Sequence, residues 1–194
     1  MKYRIDKEGL FDRLSIWNGF LKRRVRLIAC GGTALTLLNI KPSTKDIDLL
    51  VPDMGEYKYL IRALEQLGYG SADGFGWTRD DGFIFDLFPC KRVHSIELLE
   101  SPFDDGNNIL IREFSCIYLG VLNYYDILIS KLFRGSSVDT DDCLLLVRNK
   151  IGDIDIAGFI KKFEETASYN VSENRVNNNL KRFLTLIKKE GFKW

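Results

Sequence analysis

The chain has 194 residues, of which 45% are hydrophobic, and its 28 basic and 27 acidic residues leave a formal net charge of +1. This length is sufficient for one sizeable domain with a stable core and no disulfide staples. The near-neutral charge argues against a protein whose binding is dominated by contacts with a nucleic-acid backbone, although a local basic patch is compatible with it.

The first predicted element is an amphipathic helix over residues 6–22. Apolar side chains recur at intervals of three or four from Leu10 to Leu21, which is the spacing of a single buried helix face. The three basic residues at 22–24 suit its C-terminal turn, where cations meet the negative end of the helix dipole.

Strands and helices alternate after this helix, and the last third of the chain is helical. In chain order we predict a strand at 25–29, a short helix at 33–39, a strand at 46–51, a helix at 57–67, a hairpin within 70–89 that turns at Asp80-Asp81-Gly82, one or two extended segments between 95 and 119, and helices at 124–133, 139–149, 154–167 and 171–189. This order predicts an α/β (α+β) fold in which helices flank a mixed β-sheet. We expect residues 1–122 to form its core and residues 123–194 to form a helical C-terminal region packed on that core.

The cysteines and the N-terminal residues give no sign of secretion. Cys30, Cys90, Cys116 and Cys143 are widely spaced without a Cys-x-x-Cys pair, and the chain has one histidine, so we expect reduced and mostly buried thiols rather than a zinc site. The N-terminal residues match neither a signal peptide nor a transit peptide, and no apolar run approaches the length of a membrane span. These features predict a cytoplasmic protein that does not contact a membrane.

Two aspartates stand two residues apart in an apolar run. Asp46 and Asp48 are predicted to lie on the strand at 46–51, where residues two apart share a face and their carboxylates project side by side. Such a pair repels unless a cation lies between them, and Mg²⁺ (or Mn²⁺) suits oxygen ligands. Asp86, inside the apolar run FIFDLFP, is a candidate third carboxylate from a neighbouring strand. The alternative is that these acids are solvated at a strand end or on an edge strand.

A Gly-Gly-Thr triplet precedes the aspartates. Gly31, Gly32 and Thr33 lie between the predicted strand at 25–29 and the short helix that follows. Backbone N–H groups at such a turn, together with the positive end of a helix, can bind a phosphate without obstruction by side chains, and the Thr33 hydroxyl would add a donor. Because diglycine turns are common, this prediction depends on the aspartates that follow the triplet.

Together these motifs resemble the DNA polymerase β-type nucleotidyltransferase superfamily. The form GGTAL…STKDIDLL is especially similar to the prokaryotic branch that includes AbiEii-type toxins of toxin–antitoxin systems and many uncharacterised nucleotidyltransferase-like proteins. The later run DILISKLFRGSSVDTDDCLLL resembles another motif of that branch, with Lys131, Arg134, Asp139 and Asp142 at the matching positions. The resemblance covers roughly residues 26–147.

The resemblance implies a nucleotidyltransferase fold and an enzyme that transfers a nucleoside monophosphate from an NTP to an acceptor. The implied roles are metal binding and catalysis for Asp46, Asp48 and Asp86, phosphate binding for Gly31, Gly32, Thr33, Lys131 and Arg134, and support of the site for Asp139 and Asp142. The acceptor is left open between a tRNA end, a protein hydroxyl and a small molecule. At two places where the branch usually carries arginine, this chain has Val138 and Lys41-Pro42.

Other interpretations of the later motif stay open. Lys131 and Arg134 would also suit a solvated helix face. Asp139 and Asp142 would suit the first turn of a helix, where the dipole favours negative charge. His94, alone on a predicted loop, is expected to be a surface histidine. A toxin–antitoxin component that acts mainly by binding a partner protein, with weak or no catalysis, is the alternative function.

Overall fold

The computed structural model describes residues 4–79 and 82–192, and its helices and longer strands follow the predicted order, whereas the short strand at 92–93 was not predicted. The helices are α1 (Lys7–Phe20), α2 (Gly31–Leu37), α3 (Met54–Gln66), α4 (Tyr124–Arg134), α5 (Ser137–Lys150), α6 (Ile156–Ser168) and α7 (Glu173–Lys189), with a 3-10 turn at Ile151–Asp153. The strands are β1 (Val25–Ala29), β2 (Ile47–Val51), β3 (Gly70–Ser71), β4 (Gly76–Thr78), β5 (Ile84–Pro89), β6 (Arg92–Val93), β7 (Ile96–Glu97), β8 (Asn108–Glu113) and β9 (Ile117–Leu122).

A mixed sheet of seven strands forms the centre of the described chain. Its order is β3-β4-β5-β2-β1-β9-β8, and β6 and β7 form a separate two-stranded hairpin. Strand β2 runs parallel to β5 and antiparallel to β1, while β1 runs parallel to β9. The predicted α/β fold with a mixed sheet, flanking helices and a helical C-terminal region is therefore confirmed.

Helix α1 covers one face of the sheet. Trp17 is fully buried, and its ring lies 4.6 Å from that of Phe85 on β5 and 5.8 Å from that of Tyr69, to whose hydroxyl its indole N–H donates at 3.2 Å. Because side chains alternate along a strand, Asp86 points to the opposite face from Phe85. That opposite face carries the polar groups described below.

Helix α2 joins β1 to β2 and connects the sheet to the C-terminal helices. It packs against β2, β9 and α4, and α4 packs in turn against α5, α6 and α7. The apolar stripes of α4, α6 and α7 meet one another, with Phe133, Phe159, Phe163 and Phe183 in contact at their centre. None of the described helices is long and apolar enough to cross a membrane.

Several predicted boundaries differ from the structure. Helix α1 ends at Phe20, so the basic residues at 22–24 follow it rather than occupy its last turn. Helix α2 begins at Gly31, which places both glycines in its first turn rather than in a preceding loop. The predicted hairpin turn at 80–82 lies largely outside the described residues, because positions 80 and 81 are not described.

Candidate active site

Asp48 and Asp86 form the centre of the polar face of the sheet. They are partners in the register of the parallel strands β2 and β5, so both side chains point the same way. Asp48 is only 6% exposed, and Asp86 is half-buried. Like charges directly opposite each other on neighbouring strands are destabilising unless one carboxyl is protonated or a cation lies between them.

The pKa values of the pair show that neighbouring cations of the protein offset only part of its negative charge. Burial and, next, the Asp86 carboxylate raise the pKa of Asp48 to about 7. Burial and the charge of Asp46 raise the pKa of Asp86 above its ordinary value. The nearby Arg134 and Lys131 oppose the shift at Asp48 without cancelling it. A divalent cation between the carboxylates would remove this strain.

Asp46 does not lie on the strand as the sequence suggested. Strand β2 begins at Ile47, and Asp46 precedes it as an exposed residue. Its charge nevertheless acts on both Asp48 and Asp86. Across residues 4–79 and 82–192, no three acidic, histidine or cysteine side chains converge as a ready-made metal site. The less exposed part of the acidic cluster is therefore the pair Asp48 and Asp86, and Asp46 lies exposed just before β2.

Gly31 allows the start of α2 to lie against the Asp48 carboxylate. Its φ is +56°, and a Cβ placed there would be 2.2 Å from Asp48 Oδ2. A Cβ at Gly32 would similarly be 2.7 Å from Thr44 Oγ1. The diglycine thus fits a close approach of α2 to β2, and it leaves the first backbone N–H groups of the helix beside the acidic pair.

Thr33 has a different role from the one predicted. It is fully buried, and its hydroxyl donates to the Asp46 carbonyl oxygen at 3.1 Å and accepts from the Asp48 backbone N–H at 2.9 Å. The Thr44 hydroxyl donates to the same carbonyl at 3.0 Å. Because the single hydroxyl proton of Thr33 is already used, this side chain fixes the start of β2 instead of offering a donor to a phosphate.

Lys131 is buried rather than on a solvated helix face. It is 1% exposed, and its Nζ lies 2.7 Å from Asp142 Oδ2 and 3.6 Å from Asp139 Oδ1. Lys41 Nζ lies 2.7 Å from the other Asp142 oxygen. Asp139 and Asp142 sit on α5, but they are 5% and 4% exposed and serve as ion-pair partners of the cations beside them. This network joins the α2–β2 connection to α4 and α5.

Arg134 extends the network toward the acidic pair. Its Nη2 donates to Asp139 Oδ1 at 2.5 Å, its Nη1 lies 2.6 Å from His94 Nε2, and its buried Nε finds no hydrogen-bond partner among the described residues. Although burial opposes it, the hydrogen bond from Arg134 lowers the pKa of Asp139. Of the two predicted phosphate-binding cations, Arg134 is the one nearer solvent, with 30% of its side chain exposed against 2% for Lys131.

His94 is half-buried, so the expected surface position is wrong. Its ring packs edge-on against Phe88 at 4.7 Å, and burial together with the Arg134 charge lowers its pKa to about 4. A guanidinium can only donate, so Nε2 must accept from Arg134 and the neutral ring carries its proton on Nδ1. The 3.7 Å approach of His94 Nε2 to Asp48 Oδ1 is therefore no ion pair. The ring stands between Arg134 and Asp48.

Lys41 and His94 are the site residues that sequence reasoning did not select. The only sequence signal for Lys41 was its place where the resembling branch often has arginine. His94 offered no such signal, because the flanking Lys91 and Arg92 suggested an exposed loop. The short hairpin of β6 and β7 brings it to Phe88 instead.

A cleft of about 480 Å³ opens where β9 ends and α4 begins. Strand β9 is parallel to β1 and ends at the same edge of the sheet at which β1 leads into α2. The lining includes Asn107, Asn123, Tyr124, Tyr125 and Lys162, which are polar and aromatic groups. Concave sites of this kind suit small polar molecules.

The chain is similar to a known protein family and to one solved structure. The family model described as "Nucleotidyltransferase of unknown function (DUF6036)" matches residues 19–192. The curated proteins contain no match to the chain. Among solved structures, the crystal structure of ANT(2″)-Ia in complex with adenylyl-2″-tobramycin is similar, with a TM-score of 0.45 and 16% identity over 92% of this chain and 97% of that chain. A similarity of this size bears on neither substrate nor mechanism.

Proposed function

The chain belongs to the family of nucleotidyltransferases of unknown function (DUF6036) and is thus a transferase, and we propose that it moves a nucleoside monophosphate from an NTP to an acceptor with the help of Mg²⁺ or Mn²⁺. The observation that carries the proposal is the register pairing of Asp48 with Asp86 on β2 and β5. Two carboxylates on one face, with raised pKa values and too little positive charge around them, form an oxygen-rich cation site.

The donor chemistry fits a hard divalent ion. Asp48 and Asp86 would hold it, and Asp46 would turn inward from its exposed position to complete the set. When bound, the ion would neutralise charge on the triphosphate and favour loss of the proton from the acceptor hydroxyl. Because Mg²⁺ usually keeps ligands from the substrate phosphates, a protein site of two or three carboxylates is sufficient for it.

The neighbouring groups would bind and orient the nucleotide. The first N–H groups of α2, at Gly31 and Gly32, have no acceptor within the helix and lie beside Asp48. Arg134 would contact a phosphate through its exposed edge, while Lys131 would hold Asp139 and Asp142, and through them Arg134, in position. Positioning and charge neutralisation are the main contributions a protein makes to phosphoryl and nucleotidyl transfer.

Asp86 is the group best placed to take up the proton of the acceptor. It is half-buried on the face of the sheet where the cation would lie, so an oxygen of its carboxylate would be within reach of a hydroxyl bound there. The acceptor would be a tRNA end, a protein hydroxyl or a small molecule, and the cleft beside Tyr124 and Tyr125 offers room for it. The C-terminal helices would then contribute to its selection.

The test is a labelling experiment that leaves the acceptor open. The full chain is incubated with each NTP labelled at the α-phosphate, with Mg²⁺ or Mn²⁺ and a cell extract, and the label is sought in RNA, protein and small-molecule fractions. We expect label in one fraction, its loss with EDTA, and its loss in Asp48→Asn and Asp86→Asn but not in Asp12→Asn, an exposed carboxylate away from the pair. Full labelling by Asp48→Asn would contradict the assignment of the site.

The same experiment separates the toxin–antitoxin alternative. If the chain acts mainly by binding a partner protein, it should co-purify with that partner and label nothing, and isothermal titration should detect no Mg²⁺-dependent binding of NTP to the chain alone. Metal-dependent NTP binding that Asp48→Asn abolishes would support the enzyme.

A further inference from the structure

A groove lined by basic residues lies between the end of α1 and the outer side of α3. Two adjoining concavities of about 450 and 500 Å³ share Arg23, Tyr59 and Arg62, with Lys58 lining one and Lys22 the other. We call these five residues the basic groove. All four cations are exposed; Lys22 and Arg23 lie on the connection from α1 to β1, and Lys58 and Arg62 lie on α3.

None of the ion pairs in the part of the chain that the structure describes involves one of the four cations of the basic groove. The two acids that also line it are engaged elsewhere: Asp53 Oδ1 accepts the backbone N–H of Glu56 at 2.8 Å, and Glu56 pairs with Arg26 at 2.8 Å. Because cations outnumber acids in this lining, a chain with a net charge of +1 has an excess of positive charge in one place.

The groove is also ordered by its own contacts. The Arg23 guanidinium lies 4.3 Å from the centre of the Tyr59 ring, and the Tyr59 hydroxyl accepts the Lys22 backbone N–H at 2.7 Å. These contacts hold a flat guanidinium over an aromatic ring. Phe20, at the end of α1, adds a second ring that is 36% exposed at the rim. Planar groups among cations are the combination that binds unpaired bases and phosphates.

The basic groove is separate from the acidic pair. It lies where β1 begins. Asp48 lies at the other end of β1, where its carbonyl oxygen accepts the backbone N–H of Cys30 at 3.1 Å. Five residues of strand separate the two ends by roughly 17 Å. Its cations therefore cannot be explained as partners of Asp48 and Asp86, and the nucleotide chemistry proposed above does not use them.

We propose that the basic groove binds RNA. Its four cations would contact backbone phosphates, and an unpaired base would stack on the Arg23–Tyr59 platform or on Phe20. An acidic protein would match the charge, but a carboxylate side chain does not stack on the faces of the Arg23 guanidinium or the Tyr59 ring as a base does. The geometry therefore favours RNA. Unpaired bases in loops and ends of folded RNA are available for such stacking, whereas duplex DNA keeps its bases inside the stack.

The test measures binding of the full chain to a short single-stranded RNA by fluorescence anisotropy, without NTP or divalent metal. Because phosphate contacts release counterions, affinity should fall steeply between about 50 and 200 mM salt, and loss of two contacts should flatten the log–log slope by about 1.4. We expect this flattening, and roughly tenfold weaker binding, for Lys22→Gln/Arg23→Gln and for Lys58→Gln/Arg62→Gln. The matched control is Lys181→Gln/Arg182→Gln, an adjacent exposed Lys-Arg pair on α7.

A further variant separates stacking from charge. Arg23→Lys keeps the charge and removes the flat guanidinium, so it should weaken binding without changing the salt slope. Asp48→Asn should bind RNA like the wild type, so the result does not depend on whether the chain transfers nucleotides. The proposal is overturned if the groove variants bind RNA as well as the wild type, if the α7 pair matters equally, or if polyglutamate binds more tightly than RNA with the same dependence on the groove.

Discussion

Asp48 and Asp86 lie directly opposite each other on parallel strands, and their carboxylates share one face of the sheet. One of them is almost fully buried, and the described cations nearby are themselves engaged with Asp139, Asp142 and His94. In the absence of a metal ion this arrangement costs the folded protein free energy. The acidic pair is therefore a place where the requirements of binding and of stability conflict.

The first prediction concerns Asp48→Asn in the metal-free protein. Burial and the Asp86 charge raise the pKa of Asp48 from an ordinary value of 3.8 to about 7. The protonated Asp48 carboxyl thus stabilises the folded protein fully below the pKa of the unfolded carboxyl. This stabilisation is lost as the pH rises from that value through the pKa of Asp48 in the folded protein. Asparagine avoids this loss, so at pH 8 the variant should gain up to about 4 kcal/mol.

Urea unfolding in EDTA measures this gain, with Asp12→Asn as the exposed control. The difference between Asp48→Asn and the wild type should shrink as the pH is lowered toward that of the unfolded carboxyl. A variant less stable than the wild type at pH 8 would show that the Asp48 carboxylate is not strained.

The second prediction is that divalent-cation binding depends on pH. A cation must displace the proton that Asp48 retains below pH 7, so affinity should rise with pH and level off above about 7. Below that value we expect about a tenfold change for each pH unit. Calorimetric titration with Mn²⁺ in buffers of different ionisation heat should show release of close to one proton near pH 6 and almost none near pH 8. Equal affinity at both values would contradict it.

The third prediction compares two glycines. In Gly31→Ala the new Cβ would lie 2.2 Å from Asp48 Oδ2 at a φ of +56°, so either the carboxylate or the start of α2 must move. We expect loss of divalent-cation binding and a destabilisation of about 1–3 kcal/mol. Gly19→Ala on α1 meets no described atom within 4 Å and should be neutral or stabilising by up to about 1 kcal/mol. Thermal unfolding and cation titration of both variants provide the comparison.

The fourth prediction concerns the hydroxyl of Thr33. Thr33→Val keeps the shape of the side chain but leaves the buried Asp48 N–H without its acceptor at 2.9 Å. We expect a destabilisation of about 1–3 kcal/mol and weaker cation binding, because the start of β2 is no longer fixed. Thr33→Ser, which retains the hydroxyl, should restore both properties. If serine and valine behave alike, the hydroxyl does not position the strand.

The fifth prediction concerns the buried cation of α4. Lys131→Met leaves Asp139 and Asp142 with one fewer partner in a setting where both are at most 5% exposed, and we expect a loss of about 3–5 kcal/mol. Lys131→Met/Asp142→Leu should recover part of that loss, since it removes a buried charge as well as its partner. Lys181→Met, at an exposed position of α7, is the control. Equal stability of Lys131→Met and this control would contradict the network.

The sequence was sufficient for those features that depend on local pattern. Helical and strand periodicity predicted the order of the elements, because apolar spacing follows the geometry of each element directly. Asp48 and Asp86 stood out for the same reason: each is an acidic residue within an apolar strand. The structure adds that they are register partners, which depends on how β2 and β5 pair.

Features that depend on contacts between residues far apart in the chain could not be predicted from the local sequence pattern. The partner of Lys41 is Asp142, 101 positions along the chain, and Lys131 is buried where α5 packs against α4. Thr33 looked like a free donor because its acceptor, the Asp46 carbonyl oxygen, lies 13 positions further along the chain. His94 looked exposed because its neighbours in sequence are charged, whereas its contacts are set by Phe88 and Arg134.

The pairing of β2 with β5 also decides which changes of chain length the site can absorb. The spacing of the two carboxylates is set by hydrogen bonds between the strands, not by the residues that connect them. Insertions or deletions in the connection that contains α3 and β3 would alter the outline of the protein and leave this spacing intact. A slip of β5 by a single residue would instead turn Asp86 toward α1 and the Trp17 side of the sheet.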